Sequence, residues 1–171
     1  RHMSTERPDK SYVPDSDKAL LIFERENSSI AWPYSSNVWD VTDKTDPKIV
    51  GYFGRGMRAA YYAEPGDYIF ILTFAGKPDM LKATVEANKT YYVFMEMTFG
   101  SGLLFDAITT GEDNPIEIEN ISMPFPKLIE WSKQPANKNS ALTNLGKATI
   151  LWSEMEPEKR ERRILVPSDG R

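Results

Sequence analysis

Two short runs, Ala19-Leu20-Leu21-Ile22-Phe23 and Tyr68-Ile69-Phe70-Ile71-Leu72-Thr73-Phe74, are apolar on both faces of an extended chain. A strand of that kind has to be covered on both sides, so it belongs in the middle of a layered structure and not in a one-sided sheet. Neither run approaches the roughly 20 residues that a membrane-spanning helix needs. The chain is therefore expected to fold as at least two packed β layers.

The neighbouring segments fit that frame. Asn37-Val38-Trp39-Asp40-Val41-Thr42 alternates, with Val38 and Asp40 on one face and Trp39 and Val41 on the other. Asp43-Lys44-Thr45-Asp46-Pro47 is a turn cluster, Ile49 to Phe53 reads as a strand, and Gly54-Arg55-Gly56 turns the chain into another strand from Met57 to Ala63. In Glu64-Pro65-Gly66-Asp67, Pro65 presets φ and Gly66 accepts a positive one. This is type II turn chemistry, and it predicts a hairpin with the apolar run that follows. Gly76-Lys77-Pro78-Asp79 reads as a further turn. Leu81, Ala83, Val85 and Ala87 then alternate with Lys82, Thr84 and Glu86, and Asn88-Lys89 fits a two-residue hairpin loop. Thr90 to Met97 and Leu103 to Ile108 complete the series. Short strands with turns at such spacing predict a two-layer β-sandwich of about seven strands.

The termini differ in character. Residues 1–17 read as a tag remnant (Arg1-His2-Met3) and a polar lead-in, and 18–113 as the sandwich. Residues 114–171 read as an extension packed on the same domain. In it Leu142, Leu145, Thr149, Trp152 and Met155 or Glu156 recur near helical spacing, and Pro157 suits the first turn of a second short helix. The charge run Glu158-Lys159-Arg160-Glu161-Arg162-Arg163 reads as a solvated helix end, with Glu158 and Arg162 placed as an i,i+4 pair.

Composition narrows the chemistry. With 40% hydrophobic residues, a chain of 171 residues fills a core without metal or disulfide staples. The absence of cysteine excludes disulfides, thiolate catalysis and Cys-ligated zinc. His2 is the only histidine and lies in the tag-like stretch, which removes the usual base of a nucleophilic triad. A net charge of −4 supplies no basic field, so nucleic acid is not an expected partner. No cofactor motif occurs: Gly54-x-Gly56 and Gly100-x-Gly102 lack the third glycine and the strand-to-helix setting of a dinucleotide fingerprint. Asp40, Asp43 and Asp46 lack the spacing of a calcium loop, and no metal site is expected.

The aromatic residues are the more informative chemistry. Tandem tyrosines on a strand put one ring inside and one outside. Outward rings with amphipathic edges suit contact with sugars or peptides. On this basis Trp32, Tyr34, Trp39, Tyr62 and Tyr92 are candidate binding residues, together with Glu96, which sits in an otherwise apolar strand. Met123, Phe125 and Trp131 lie in an apolar, proline-interrupted segment and are candidate partner-docking residues.

Lys18-Ala19-Leu20-Leu21-Ile22-Phe23, Val38-Trp39-Asp40-Val41, Ile49-Val50-Gly51, Tyr61-Tyr62-Ala63-Glu64-Pro65-Gly66-Asp67-Tyr68 and Asn88-Lys89-Thr90-Tyr91-Tyr92 together carry a resemblance. Over residues 18–110 the chain resembles the bacterial envelope family named domain of unknown function 2846. The resemblance implies a β-sandwich-like domain carried on lipoprotein or secreted chains, with no catalytic residues to transfer. It also implies a periplasmic or outer-membrane location, with a signal segment removed and a lipid anchor as the means of membrane attachment. The expected function is a non-enzymatic binding module for an envelope protein or glycan. Two alternatives stay open. One is a carbohydrate-active enzyme using paired carboxylates, with Asp40, Glu64, Glu96 and Asp106 as the strand-borne candidates. The other is an assembly subunit that uses its C-terminal segment.

Overall fold

The computed structural model describes residues 13–26, 35–54, 56–98, 102–107 and 137–171. Among the described residues nine strands form two sheets: β1 (Ala19–Arg25), β2 (Ser36–Asp40), β3 (Lys48–Phe53), β4 (Arg58–Ala63), β5 (Gly66–Phe74), β6 (Lys77–Val85), β7 (Thr90–Thr98), β8 (Gly102–Ala107) and β9 (Ile164–Leu165). The four-stranded sheet runs β4-β1-β7-β8 and the five-stranded sheet β3-β2-β5-β6-β9. The parallel pairs are β1 with β7 and β6 with β9; the other neighbours are antiparallel. The fold is a mainly β, two-layer sandwich, as expected, with a helix laid on one face.

The doubly apolar runs occupy interior positions for the reason their pattern gave. Leu21 and Phe23 of β1 face Phe70, Leu72 and Phe74 of β5 across the gap between sheets, joined by Val38, Tyr91, Val93, Met95 and Phe105. The opposite faces are covered differently. Ile69 and Ile71 of β5 lie with Trp39, Val41 and Met80 beneath helix α1 (Lys138–Glu154). Leu20 and Ile22 of β1 gather with Ala60, Tyr92 and Phe94 on the other side of the molecule. The aromatic centre is Phe70. It meets Phe23 edge-on at 5.1 Å and Tyr61 edge-on at 5.7 Å, and stacks on Tyr68 at 5.8 Å.

The turns follow local chemistry, but two of them connect strands differently from the expectation. Pro65-Gly66 joins β4 of one sheet to β5 of the other, and Asn88-Lys89 likewise joins β6 to β7. Both are arches across the sandwich, not hairpins. Turn residues specify that the chain reverses, but the strands' apolar faces decide whether they pair or stack. At the second arch Asn88 holds φ 58°, the left-handed conformation its side chain tolerates. Its N–H donates to the Lys18 carbonyl, and the Leu20 N–H donates to the Lys89 carbonyl, so the arch is pinned to the start of β1.

True hairpins join β2–β3, β5–β6 and β7–β8. In the first, both the Thr45 N–H and Oγ1 donate to Asp43 Oδ1, an Asx turn whose bonds hold the Asp43 carboxyl below its usual range. In the second, the turn is not Gly76 to Asp79 but the pair Ala75-Gly76, with φ 48° and 76°. Pro78 is drawn into β6 opposite Thr73, where β9 does not pair and its missing N–H costs no ladder bond. Ala75 is the wrong residue for a left-handed position. Ala75→Asn is expected to raise stability by about 0.5–1 kcal/mol. Urea unfolding of the two proteins checks this.

Helix α1 starts where Asn137 caps it, its side chain accepting from the Ser140 N–H. The buried stripe is Ala141, Asn144, Leu145 and Ala148, with Trp152 partly buried beside it; Leu142 and Thr149 flank the stripe and do not form it. The alanines matter because the sheet beneath presents Trp39, Ile71 and Met80, and small side chains on the helix let the bulky ones enter. Polar contacts fix the helix ends: Lys138 pairs with Asp46, and the Lys82 ammonium lies 4.7 Å from the centre of the Trp152 ring.

Pro157 opens the short helix α2 (Pro157–Glu161) as expected, but the charge run does not end in solvent. Arg162 turns away from Glu158 to pair with Asp106 of β8. Arg163 is buried against Asp79 of β6, its Nε donating to both carboxylate oxygens at 2.9 Å. Asp79 Oδ2 also accepts from the Phe105 N–H of β8 at 2.8 Å, so one carboxylate ties the C-terminal segment to both sheets. The tail then adds β9 to β6 and exchanges two backbone bonds between Arg171 and Thr90 of β7. Gly170 stands at that crossing. A Cβ there would lie 2.7 Å from Tyr91 Cζ and 2.8 Å from Lys89 Cβ, so only glycine lets the two segments pass this closely.

Candidate interaction face

The outward face of the four-stranded sheet is built by alternation along three strands. From β4 it receives Arg58, Ala60 and Tyr62, from β1 Leu20, Ile22 and Glu24, and from β7 Tyr92, Phe94 and Glu96. The register sets Tyr62 opposite Leu20, Ala60 and Tyr92 on either side of Ile22, and Arg58 and Phe94 on either side of Glu24.

The tandem tyrosines divide as their spacing required. Tyr61 is buried and its Oη donates to Asp40 Oδ2 at 2.6 Å, while its neighbour Tyr62 is 41% exposed. Burial, reinforced by the Asp40 carboxylate, pushes the Tyr61 phenol far above its usual range and keeps it a donor. Tyr91 is buried with its Oη accepting from the Glu86 N–H, while Tyr92 faces outward with the Arg171 guanidinium 5.8 Å from its ring centre.

The charged groups on this face are paired. Arg58 Nε donates to the buried Glu24 Oε2 at 2.6 Å. Arg162 donates through Nε and Nη2 to both oxygens of Asp106, at 3.1 and 2.8 Å, and reaches Glu96 Oε2 at a longer 3.4 Å. Glu96 and Asp106 are the two candidate carboxylates the fold brings together. A shared guanidinium holds them as an ion-pair triad tying the tail to the β7–β8 hairpin. Asp40 and Glu64 lie elsewhere: Asp40 accepts from Tyr61 and the Thr42 N–H, and Glu64 sits in solvent 3.7 Å from Lys18. Among the described residues no three carboxylates or histidines converge as metal ligands would.

Of the candidate binding residues, Tyr62, Tyr92 and Glu96 therefore share one face. Trp39 does not: it is 4% exposed beneath α1, where it anchors the helix and has no ring face left for a ligand. The alternation of its strand was legible, but both faces of β2 turn out to be covered. Trp32, Tyr34, Met123, Phe125 and Trp131 lie outside the described residues. The residues that sequence reasoning missed are Leu20 and Ile22, which form the buried apolar floor beneath the tyrosines, and Glu24 and Arg58, which join across β1 and β4. The signal for the first two was present in the double-sided run at Ala19 to Phe23. The pairing of Glu24 with Arg58 becomes visible only once β1 and β4 are known to be neighbours.

No family model and no curated protein matches the chain. Among solved structures, the chain is similar to a protein from Eubacterium rectale determined by NMR. Identity is 11% and the TM-score 0.40, over 57% of this chain and 94% of that one. It is also similar to a Bacteroides ovatus protein assigned only provisionally to cell adhesion, at 10% identity and a TM-score of 0.30, over 53% of this chain and 42% of that one.

Proposed function

We propose that this domain is a non-enzymatic binding module of the bacterial cell envelope, engaging a protein or glycan through the outward face of its four-stranded sheet. The observation that carries the reading is the asymmetry of the two outer faces. Helix α1 covers the five-stranded sheet, whereas on the other sheet Tyr62 is 41% exposed and Tyr92 and Phe94 are half-buried around the buried Leu20 and Ile22, with the Arg58–Glu24 ion pair beside them. Aromatic side chains flanked by polar groups supply apolar area and hydrogen-bonding edges with little loss of rotamer freedom, which suits a contact surface. The envelope setting rests on the resemblance of residues 18–110 to an envelope family.

The test is co-sedimentation with isolated cell-wall sacculi, and separately with detergent-solubilised envelope protein, comparing the unaltered chain with Tyr62→Ala. An exposed ring at the centre of a contact contributes about 1–2 kcal/mol, so the variant is expected to bind roughly tenfold more weakly with an unchanged melting temperature. Equal binding by both proteins, or binding by neither, would end the proposal. Retention on sacculi alone identifies the glycan as ligand, and retention on the protein fraction alone identifies a protein.

A further inference from the structure

The C-terminal segment is held in the way a sheet holds a separate peptide. Consecutive carbonyls bridge the edges of the two sheets: that of Arg162 accepts from the Ala107 N–H of β8 at 2.8 Å, and that of Arg163 from the Lys82 N–H of β6 at 3.0 Å. Arg163 and Leu165, two residues apart, both turn inward. The first meets the Asp79 carboxylate, the second enters the core between the sheets, and Ile164 between them stays half-buried. Further on, the Pro167 carbonyl accepts from Lys89 Nζ at 2.9 Å, and Arg171 exchanges two backbone bonds with Thr90 of β7. Backbone bonds along a strand edge give such a contact its affinity, and the alternate side chains that enter give it specificity.

The segment joins the rest of the chain through a short hinge. Met155 (φ −74°, ψ 138°) and Glu156 (φ −55°, ψ 141°), both extended, are the whole connection between α1 and α2. Pro157 keeps Glu156 extended, so the two helices cannot fuse and the torsions of Met155 decide where the segment points. We propose that the seam between β6 and β8 also takes residues 157–171 of a second copy of this chain, the two copies exchanging their C-terminal segments about Met155. The occupant is fixed by what already sits there. Seam and segment are identical in both copies, so exchange keeps every contact described above, including Arg163 on Asp79, and alters only the hinge. A reciprocal exchange is closed and stops at two chains. Within one chain the short hinge presents the segment to its own seam at an effective concentration on the order of 1 mM, so exchange becomes prominent when the protein refolds near that concentration.

A chain without cysteine allows a direct test. Lys82 and Ile164 are partners in the parallel β6–β9 pair, where neighbouring Cα atoms stand about 5 Å apart, within reach of a disulfide. One protein carries Lys82→Cys alone and a second carries Ile164→Cys alone, so a bond between these two positions can form only between chains. The two are refolded together from urea at about 1 mM and oxidised, and each is also treated by itself. The mixture is expected to give roughly tenfold more covalent dimer on a denaturing gel without reductant than either protein alone, because exchange brings the two thiols together at an effective concentration far above that of free chains. No more dimer from the mixture than from the separate proteins would overturn the proposal. The unaltered chain, refolded in the same way, is expected to show by light scattering a fraction at twice the mass of one chain that grows with concentration. A single-chain mass at every concentration would overturn it too. Neither readout depends on ligand binding by the proposed interaction face.

Discussion

Replacing Arg163 with methionine is expected to destabilise the domain by about 3–5 kcal/mol, because it leaves the Asp79 carboxylate buried without its cation. Both side chains are all but inaccessible, at 6% and 4%. The Phe105 N–H remains to the carboxylate, but one neutral donor does not replace a guanidinium. The pH dependence identifies the cause. Burial pushes the Asp79 carboxyl above the usual carboxylate range even with Arg163 and the Phe105 N–H pulling it down. The native state thus holds this proton more tightly than the unfolded chain does. The stability contributed by Asp79 is full below its unfolded value, roughly 3.9, and is lost as pH rises through its raised native value. Without Arg163 the native value rises further, so the defect of Arg163→Met should be largest near neutrality and shrink as pH falls toward 4. Urea denaturation of the two proteins across that range checks the sign. A defect independent of pH would assign the loss to packing alone. Asp79→Leu combined with Arg163→Met should recover part of the stability, since no charge is then buried.

The second large effect concerns Phe70. Its ring is fully buried and touches Phe23, Tyr61 and Tyr68, and Phe23 in turn reaches Phe105 at 6.4 Å. Phe70→Ala removes the ring that joins β5 of one sheet to β1 and β4 of the other, and is expected to cost about 3–5 kcal/mol. The cavity opens beside Tyr61, so the variant should also loosen the Tyr61–Asp40 hydrogen bond. That makes the two losses non-additive in a double-mutant cycle with Tyr61→Phe. Phe70→Leu keeps most of the volume and should cost less than half as much; equal costs for the two substitutions would point to the aromatic contacts and not the volume.

These two sites illustrate what the sequence made legible. Phe70 sits in the run whose double-sided pattern announced a layered β fold, and the division of Tyr61 from Tyr62 and of Tyr91 from Tyr92 followed from strand alternation alone. Periodicity is a local signal, and residues i and i+2 report it wherever the strand ends up. Pairing is not local. The turn chemistry of Pro65-Gly66 and Asn88-Lys89 marked reversals, yet could not distinguish a hairpin from an arch, because that depends on which distant strand fills the edge. For the same reason Arg163 read as one more charge in a solvated run: its partner Asp79 lies on β6, within a stretch that read as a turn. On the candidate face, the outward tyrosines were legible one by one. That Tyr62 and Tyr92 share a face depends on β1 lying between β4 and β7, which no local pattern encodes.

The parallel pairings bear on how the domain is assembled. β1 lies between β4 and β7, and Leu20 waits for Thr90 before its second edge is satisfied; Lys82 of β6 waits likewise for Ile164. Hairpins such as β5–β6 close early because their loops are short, whereas these two parallel contacts require long loops to be ordered first. Folding should accordingly be slow for the domain's size, with the four-stranded sheet unable to form its centre until β7 has emerged from the ribosome. Until then the second edge of β1 stands unpaired, an exposed edge of the kind that a holding chaperone covers.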